Sequence, residues 1–246
     1  MMKVLEYIEQ KKRDGGRLFA LLVDPESHTP ATIRSFFGAT GRRPAHLVLV
    51  GGSLVSRPVE PVLRAVREMT DVPVVLFPGS LLQLSGEADA LLMLNLISGR
   101  NPEYLAGNQV TAALMIRTLG LEVIPTGYIL VGGGAGTAVE VISNTHPLPE
   151  RKKEIILATA LAGEYMGSRL IYLEKGSGAD TPPDAELIRA VRDLLTVPLI
   201  TGGGITDAAT ADKLFRAGAD MVVVGNAIEE NISLVKEMKR VAESFR

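Results

Sequence analysis

Polar residues follow several apolar runs of the sequence, each at the point where the run ends. Asp24 ends "RLFALLVDP", Ser53 ends "AHLVLVGGS", and Glu174 lies near the end of "SRLIYLEKGSG". A carboxylate and a hydroxyl offer the hard oxygen ligands that Mg²⁺ prefers when phosphate and water complete its coordination. Asp24 and Ser53 therefore predict a site for a Mg²⁺-diphosphate. The alternative role of Asp24 is to cap the helix that follows.

Glu174 shares one face of its run with Leu170 and Tyr172, because successive side chains of a strand point to opposite faces. On the other face, Ile171 and Leu173 are expected to pack against helices. A carboxylate that borders apolar side chains and a phosphate site has its pKa raised toward the range of a general base. We interpret Glu174 as a general base, with an ion pair as the alternative. Tyr172 either donates a hydrogen bond to the same substrate or fills space.

Two glycine-rich segments, "TGGGITD" at 201–207 and "VGNAI" at 224–228, follow the last two apolar runs. Glycine lets the backbone approach a ligand closely, and N–H groups at a helix start attract an anion. Tight turns are the alternative explanation, but two such loops on adjacent strands are typical of the phosphate site of barrel enzymes. We expect "GGGAGTAV" at 132–139 to be a mobile loop, since it lacks the GxGxxG spacing of a dinucleotide site.

Eight short apolar runs alternate with segments whose apolar residues recur every three to four positions, which indicates strands alternating with helices. Continuous apolar runs favour strands covered on both faces, as in a parallel sheet enclosed by helices. The pattern predicts an α/β protein, a single (β/α)8 TIM barrel over residues 1–246, with "VLEYIEQKKRD" as an extra N-terminal helix. "GSLLQLSGEA" is too short for a full helix, so we expect an irregular third βα unit. A doubly wound open sheet is the alternative fold.

The composition argues against several classes of function. The formal net charge of -2 lacks the basic surplus that binding to nucleic acid favours. The absence of cysteine excludes disulfides and thiolate sites, and the three histidines lack metal-ligand spacing. The N-terminal stretch has the pattern of an amphipathic helix, unlike a signal peptide, and no apolar run reaches the length of about 18 residues that indicates a membrane span. We therefore expect a cytoplasmic location.

Six motifs, "LLVDP", "VGGS", "GYILVGGG", "YLEKGSGA", "ITGGGI" and "VVVGNAI", occur in an order and spacing known from one family. From about Asp24 to Ile228 the sequence resembles the geranylgeranylglyceryl phosphate synthase family, which includes related bacterial heptaprenylglyceryl phosphate synthases. "YLEKGSG" is the most specific element of this resemblance. The resemblance implies a modified barrel in which the third βα unit lacks a regular helix. It also implies a Mg²⁺-dependent transfer of a prenyl group from a prenyl diphosphate to sn-glycerol 1-phosphate.

The resemblance also implies roles for individual residues. Asp24 and Ser53 match the magnesium positions of the family. Glu174, with Tyr172 beside it, would take the proton from the C3 hydroxyl of glycerol phosphate. The positions that match glycerol-phosphate contacts are Tyr172, Leu173, Glu174, Lys175, Gly176, Ser177, Gly178, Gly203, Gly204, Gly225 and Asn226.

The prenyl tail requires an apolar groove, for which Leu96, Ile97 and Tyr104 are candidates, with Tyr104 limiting the tail length. The loop pattern favours geranylgeranyl diphosphate over a longer donor. The family implies a homo-oligomer, either a dimer or a hexamer, and a product this hydrophobic implies transient contact with a membrane. We expect no nucleic-acid partner.

Three alternative functions stay open at this point. One is a heptaprenylglyceryl phosphate synthase with a longer donor. Another is a phosphosugar isomerase, aldolase or lyase, since a barrel does not select one reaction. This second alternative predicts a lysine or a second acid at another strand end. The candidate lysine, Lys175, should point away from Glu174. The third is a non-catalytic protein that binds a phosphate metabolite.

Overall fold

The computed structural model describes residues 2–132 and 136–245, and its eight parallel strands pair in chain order and close into a barrel. The strands are β1 Leu18–Val23, β2 Leu47–Val50, β3 Val74–Leu76, β4 Ala90–Leu96, β5 Glu122–Leu130, β6 Leu170–Glu174, β7 Leu199–Gly202 and β8 Met221–Val224. Ala20 of β1 pairs with Leu47 of β2 on one side and with Val223 of β8 on the other. The predicted (β/α)8 TIM barrel is confirmed, and the open-sheet alternative is wrong.

Helices surround the barrel and follow the strands in the expected alternation. They are α1 Val4–Arg13, α2 Pro30–Thr40, α3 Glu60–Met69, α4 Asn108–Leu119, α5 Ala138–Ser143, α6 Lys153–Tyr165, α7 Ala185–Leu194, α8 Ala208–Ala217, α9 Asn226–Glu230 and α10 Leu234–Glu243. Between β3 and β4 the described chain forms only a 3-10 turn, Leu81–Gln83. The irregular third unit is therefore confirmed, and it leaves a gap in the ring of helices.

The strands separate two apolar layers, one inside the barrel and one between the barrel and the helices. On β6, Leu170 and Tyr172 belong to the inner layer, whereas Ile171 and Leu173 belong to the outer layer. Because both faces of each strand are buried, the strands are apolar at nearly every position. The alternation predicted for "LIYLE" is confirmed, and it directs Glu174 toward the barrel axis.

Helix α1 closes the N-terminal end of the barrel, which we call the base. Its Val4 and Ile8 side chains join the inner apolar layer. Glu122, at the start of β5, accepts hydrogen bonds from the N–H groups of Val4 at 2.7 Å and Leu5 at 3.0 Å. These two bonds satisfy N–H groups that a helix start otherwise leaves unpaired. The extra N-terminal helix is confirmed.

The segment 132–139 is predicted to be a mobile loop, and the structure describes only part of it. Gly133, Gly134 and Ala135 lie outside the described residues, and α5 begins at Ala138. A capping box starts this helix, since the Thr137 N–H group donates to the Glu140 carboxylate at 3.2 Å. Across the described ranges, none of the helices has the length and apolar character needed to cross a membrane.

Candidate active site

A cleft of about 1140 Å³ opens at the C-terminal ends of the strands, which we call the rim. The loops that follow β1, β2, β6, β7 and β8 contribute to its walls. It brings together most of the predicted site residues: Asp24, Ser53, Tyr172, Glu174, Ser177, Gly178, Gly203, Gly204, Gly225 and Asn226. Residues up to 202 positions apart in the chain (226 minus 24) therefore share one cavity.

Glu174 lies at the end of β6 and is 7% exposed. Its Oε1 accepts a hydrogen bond from the Gly176 N–H group at 2.7 Å. Burial raises the pKa of Glu174, and three neighbouring groups offset part of this effect: first the Tyr172 hydroxyl, then the N–H groups of Gly176 and Lys175. A held carboxylate with a raised pKa is well suited to accept a proton from a substrate.

Tyr172 points its hydroxyl into the barrel mouth beside Glu174. A Cβ at Gly202 would lie 2.4 Å from this hydroxyl and 3.0 Å from Oε2 of Glu174, so glycine is required between them. The hydroxyl is close enough to influence the pKa of Glu174 but lacks hydrogen-bond geometry, and it has no partner among the described residues. Burial raises the pKa of Tyr172 well above its usual value, so it stays neutral. An unpaired buried hydroxyl is expected where a ligand supplies the missing partner.

Asp24 follows β1 and is half-buried. Its Oδ1 accepts a hydrogen bond from the Glu26 N–H group at 2.9 Å, and burial raises its pKa. A Cβ at Gly52 would lie 2.7 Å from Oδ1 and 2.8 Å from Oδ2, so only glycine allows the loop after β2 to approach this carboxylate. Thr29 is the N-cap of α2, and the alternative role of Asp24 as a cap is therefore wrong.

The side-chain oxygen atoms of Asp24 and Ser53 fit one kind of metal site. Across residues 2–132 and 136–245, His, Asp and Glu side chains form no cluster of three or more that would enclose a metal. Asp24 and Ser53 offer one carboxylate and one hydroxyl to the cleft. This pair suits Mg²⁺, which commonly takes one or two protein ligands and completes its octahedron with phosphate and water. The residues fit a metal that arrives with a phosphate ligand.

The glycine loops after β7 and β8 line the same cleft as Asp24, and β8 is the strand that pairs with β1. Gly203 and Gly204 have φ values of 85° and 66°, a left-handed conformation that favours glycine. The side chains of Asn226 and Ser177 exchange hydrogen bonds of 3.3 and 3.1 Å, which join the loops after β8 and β6. The glycine turn after β7 and the start of the short helix α9 after β8 thus line one cleft, at the usual position of a barrel phosphate site.

One detail of the predicted phosphate cradle is wrong. The sequence predicts free N–H groups at the start of α8, after "TGGGITD". Instead, the Asp207 side chain caps this helix, and its Oδ1 accepts from the Thr210 N–H group at 2.7 Å. A carboxylate at this position already occupies the helix start. The cradle therefore consists of the glycine turn and the start of α9.

Three predicted substrate contacts lie elsewhere. Leu173 is fully buried in the outer apolar layer. Lys175 points away from the cleft and pairs with Glu150 at 2.9 Å. Gly176 is buried, and its N–H group holds Glu174. The prediction that Lys175 points away from Glu174 is confirmed, whereas the side chains of Leu173 and Lys175 do not contact the cleft.

An apolar groove of about 830 Å³ lies where the chain between β3 and β4 forms a short 3-10 turn in place of a helix. Leu96 and Tyr104 line it as expected, and the Tyr104 hydroxyl donates a hydrogen bond to the Ile142 carbonyl at 3.4 Å. The prediction for Ile97 is wrong, because this side chain packs in the outer layer against Gly127 and Gly163. The groove and the cleft meet at residues that line both: Gly52, Ser53, Phe77, Tyr128 and Val139.

Two aromatic residues at this junction were missed from the sequence. Phe77 stacks on Tyr172 with ring centroids 5.5 Å apart, and Tyr128 meets Tyr172 edge to face at 5.2 Å. Tyr128 is the register partner of Tyr172 in the β5–β6 pair. Each tyrosine lies two residues before the end of its strand, and this shared spacing is the signal that could have identified Tyr128.

Comparison with known proteins extends over nearly the whole chain. The pattern of the PcrB family matches residues 8–244. The sequence is 44% identical to a geranylgeranylglyceryl phosphate synthase of Chitinophaga pinensis over 237 residues, which cover 96% of this chain and 94% of the relative. It is 39% identical over 246 residues to the enzyme of the same name from Thermofilum pendens, with coverage of 99% and 95%.

A solved structure shows the same similarity in three dimensions. It is the crystal structure of (S)-3-O-geranylgeranylglyceryl phosphate synthase from Thermoplasma acidophilum in complex with its substrate sn-glycerol-1-phosphate. The TM-score is 0.90 at 32% identity, and the alignment covers 99% of this chain and 100% of that one. The similarity therefore includes the elements that form the cleft and the groove.

Proposed function

The chain belongs to the PcrB family, and from this premise we propose that it joins geranylgeranyl diphosphate to the C3 hydroxyl of sn-glycerol 1-phosphate in a Mg²⁺-dependent reaction. Like its relatives named geranylgeranylglyceryl phosphate synthase, it is an enzyme of the prenyltransferase class. The observation that carries the more specific proposal is the junction of the apolar groove with the polar cleft. A prenyl diphosphate needs an apolar groove for its tail and a polar cleft for its charged end.

The acceptor side of the cleft suits glycerol phosphate, the ligand bound in the Thermoplasma acidophilum relative. We place its phosphate on the Gly203–Gly204 turn and the start of α9, with Asn226 and Ser177 beside it. This arrangement brings the C3 hydroxyl to Glu174 and the free hydroxyl of Tyr172. Holding two reactants in one geometry removes much of the entropic barrier of a bimolecular reaction.

In the proposed step, Glu174 accepts the proton of the C3 hydroxyl as that oxygen forms a bond to C1 of the prenyl chain. The bond between C1 and the diphosphate oxygen breaks, and diphosphate leaves with the electron pair. Tyr172 donates a hydrogen bond that orients the attacking oxygen. The raised pKa of Glu174, caused by burial, favours this proton transfer.

On the donor side, Asp24 and Ser53 would hold the metal and the diphosphate at the junction of the two cavities. When bound, Mg²⁺ neutralises charge that develops on the leaving diphosphate. The rings of Phe77, Tyr128 and Tyr172 lie at the same junction. Aromatic faces attract positive charge, so these rings are suited to stabilise the allylic carbon as its bond to oxygen breaks.

The alternatives account for fewer of these features. A phosphosugar isomerase or lyase has no use for an apolar groove of about 830 Å³, and Lys175, the candidate for its lysine, pairs with Glu150 outside the cleft. A non-catalytic binding protein does not require a carboxylate with a raised pKa beside the phosphate site. A heptaprenyl donor would use the same site and differs only in the length of groove that it fills.

The direct test is to incubate the purified protein with sn-glycerol 1-phosphate, Mg²⁺ and, in separate reactions, farnesyl, geranylgeranyl or heptaprenyl diphosphate. We expect a prenyl ether over multiple turnovers, formed fastest from geranylgeranyl diphosphate and lost when Mg²⁺ is chelated. Fastest turnover of the heptaprenyl donor would instead support the longer-chain alternative. Absence of ether from every donor would contradict a prenyl transfer.

Two further expectations concern partners. We propose that the protein forms a homo-oligomer, a dimer or a hexamer, and that it contacts membranes transiently when it exchanges its hydrophobic substrate and product. Light scattering of the purified protein tests the first expectation. Sedimentation with lipid vesicles, with and without prenyl diphosphate, tests the second.

A further inference from the structure

A polar side chain outside the proposed catalytic groups is completely buried near the junction of the groove and the cleft. Gln83 is 0% exposed and belongs to the 3-10 turn that connects β3 to β4 in place of a helix. Its Nε2 donates to the Gly52 carbonyl at 2.7 Å, and its Oε1 accepts from the Gly52 N–H group at 3.1 Å. One side chain thus pairs both backbone groups of a residue 31 positions away.

Residues 51–53, which we call the β2 loop, are packed tightly on two sides. On one side, a Cβ at Gly52 would meet the Asp24 carboxylate. On the other side, a Cβ at Gly79 would lie 2.3 Å from the Gly52 carbonyl oxygen and 2.8 Å from Cα of Ser53. The loop is therefore pressed between Asp24 and the turn after β3, and the Gln83 amide bonds fix its position between them.

We infer that Gln83 is a positioning residue for the diphosphate end of the donor. It holds Gly52 and Ser53 beside Asp24, at the place where the groove for the tail joins the cleft. This inference rests on the proposed function, because it assigns Gln83 to the donor half of that reaction. The segment 81–84 between β3 and β4 thus contributes to the site in two ways. Leu81 and Leu84 line the groove, and Gln83 between them fixes the β2 loop.

The two halves of the site should respond differently to loss of these bonds. Asp24 and Ser53 lie next to Gly52 after β1 and β2, whereas the glycerol-phosphate loops follow β6, β7 and β8, of which only β8 pairs with β1. Removing the Gln83 amide leaves the half-buried N–H and C=O groups of Gly52 without this partner, which favours displacement of the β2 loop. Donor binding should therefore weaken while acceptor binding persists.

Glu122 provides a matched control at the base. Like Gln83, it makes two hydrogen bonds to backbone groups distant in the chain, those of Val4 and Leu5. It lies at the opposite end of the barrel from the cleft. Loss of its bonds should lower the melting temperature without a selective effect on either ligand. Leu82, which is 84% exposed on the same turn as Gln83, provides a second control.

The experiment compares Gln83→Met, which keeps the length of the side chain, with Glu122→Ala and Leu82→Ala. Titration calorimetry measures binding of inorganic diphosphate in the presence of Mg²⁺ and, separately, of sn-glycerol 1-phosphate. We expect Gln83→Met to weaken diphosphate binding by about tenfold, the usual scale for loss of a residue that orients ligand-binding groups, with glycerol-phosphate binding unchanged. Both controls should bind both ligands as the wild type does.

Several results would overturn the inference. These are diphosphate binding by Gln83→Met at wild-type strength, equal weakening of both ligands, or a wild-type protein that does not bind diphosphate. If Gln83→Met does not fold, Gln83→Glu keeps the acceptor for the Gly52 N–H group and loses the donor. Its diphosphate binding should be weaker than that of the wild type, and unchanged binding would overturn the inference.

The proposed function is judged separately by ether formation in the same wild-type preparation. A protein that binds both ligands but forms no ether would contradict the prenyl transfer, and the binding data would still decide the role of Gln83.

Discussion

Asp220 at the base of the barrel and the pair Tyr172 and Glu174 at the rim are all buried, but they differ in the partners that the chain supplies. At the base, Asp220 accepts hydrogen bonds from Arg17 at 3.3 Å, from Arg192 at 2.7 Å and from the Leu199 N–H group at 2.9 Å. At the rim, the Tyr172 hydroxyl has no partner among the described residues, and Glu174 is buried without a cation beside it. The Asp220 carboxylate at the base thus has two arginines and a backbone N–H group as partners, whereas the Tyr172 hydroxyl and the Glu174 carboxylate at the rim remain available to a ligand.

This difference indicates that stability and function are placed at separate ends of the strands. Groups whose partners are supplied by the fold stabilise it, and groups held without partners reduce stability in exchange for binding and chemistry. Substitutions at the base should therefore change the free energy of unfolding. Substitutions of the polar groups held without partners at the rim, Tyr172 and Glu174, should change rates and affinities, with little loss of stability.

The largest expected effect is that of Glu174→Gln. If Glu174 is the general base, turnover should fall by about 10²- to 10⁴-fold, because the amide does not accept the proton. Burial raises the pKa of Glu174 in the folded state above its ordinary value of 4.5. Stability therefore decreases as the pH rises from about that ordinary value through the folded pKa, and the amide avoids this cost. Parallel measurements of ether formation and melting temperature at neutral pH should show lost turnover with an equal or higher melting temperature.

Asp220→Asn is the counterpart at the base. It removes one partner of a buried network with two arginines, which typically costs about 3 kcal/mol of folding free energy. The Michaelis constants should not change at a temperature at which the variant is folded. Urea unfolding and steady-state kinetics check the two halves of this prediction. A selective loss of turnover in the folded variant would break the separation between the ends.

A pair of glycines with left-handed backbones sharpens the comparison. Gly203 at the rim has a φ of 85°, and a Cβ there would lie 2.6 Å from Oε1 of Glu174. Gly218 at the end of α8 has a φ of 113°, and a Cβ there would lie 2.6 Å from Cγ of Arg192. Alanine in this conformation costs about 1–2 kcal/mol at either position.

Only Gly203→Ala should also raise the Michaelis constant for sn-glycerol 1-phosphate, since it displaces Glu174 and the phosphate turn. Chemical denaturation compares the stabilities of the two variants, and initial rates at varied glycerol phosphate compare their affinities. Equal effects of both substitutions on glycerol-phosphate affinity would argue against a functional rim.

The smallest effect concerns the pH dependence of the wild type. A general base is active when ionised, so a pKa raised by burial moves the acid limb of kcat/KM to higher pH. We expect the midpoint of this limb to lie above 4.5, the ordinary value for glutamate. The profile is measured at saturating prenyl diphosphate and low glycerol phosphate. A midpoint at or below the ordinary value would indicate an exposed carboxylate.

Much of the fold could be predicted because its signals are local. Continuous apolar runs indicate strands buried on both faces, and alternation along "LIYLE" placed Leu170, Tyr172 and Glu174 on the inner face. Alternation also placed Leu173 in the outer layer. The resemblance treated "YLEKGSG" as one run of contacts, and the side chains of Leu173 and Lys175 in that run point away from the cleft.

The remaining features depend on pairs that are distant in the chain. Gln83 bonds to Gly52, and Tyr128 meets Tyr172 through the register of two strands. The Gln83–Gly52 contact has no signature within a short window of sequence, and the spacing of Tyr128 becomes informative only when its strand is compared with that of Tyr172. The position of Ile97 could not be predicted for the same reason. A turn after β4 directs its side chain to the outer layer, while its neighbour Leu96 faces the groove.

The central claim is that the rim holds the C3 hydroxyl of glycerol phosphate beside Glu174, so that this oxygen attacks the prenyl carbon. The most direct measurement uses sn-glycerol 1-phosphate labelled with ¹⁸O at C3, geranylgeranyl diphosphate and the wild-type protein, with mass spectrometry of the products. We predict that the label is retained in the prenyl ether and that the released diphosphate is unlabelled. An ether without the label, or prenyl alcohol formed in place of the ether, would contradict the claim.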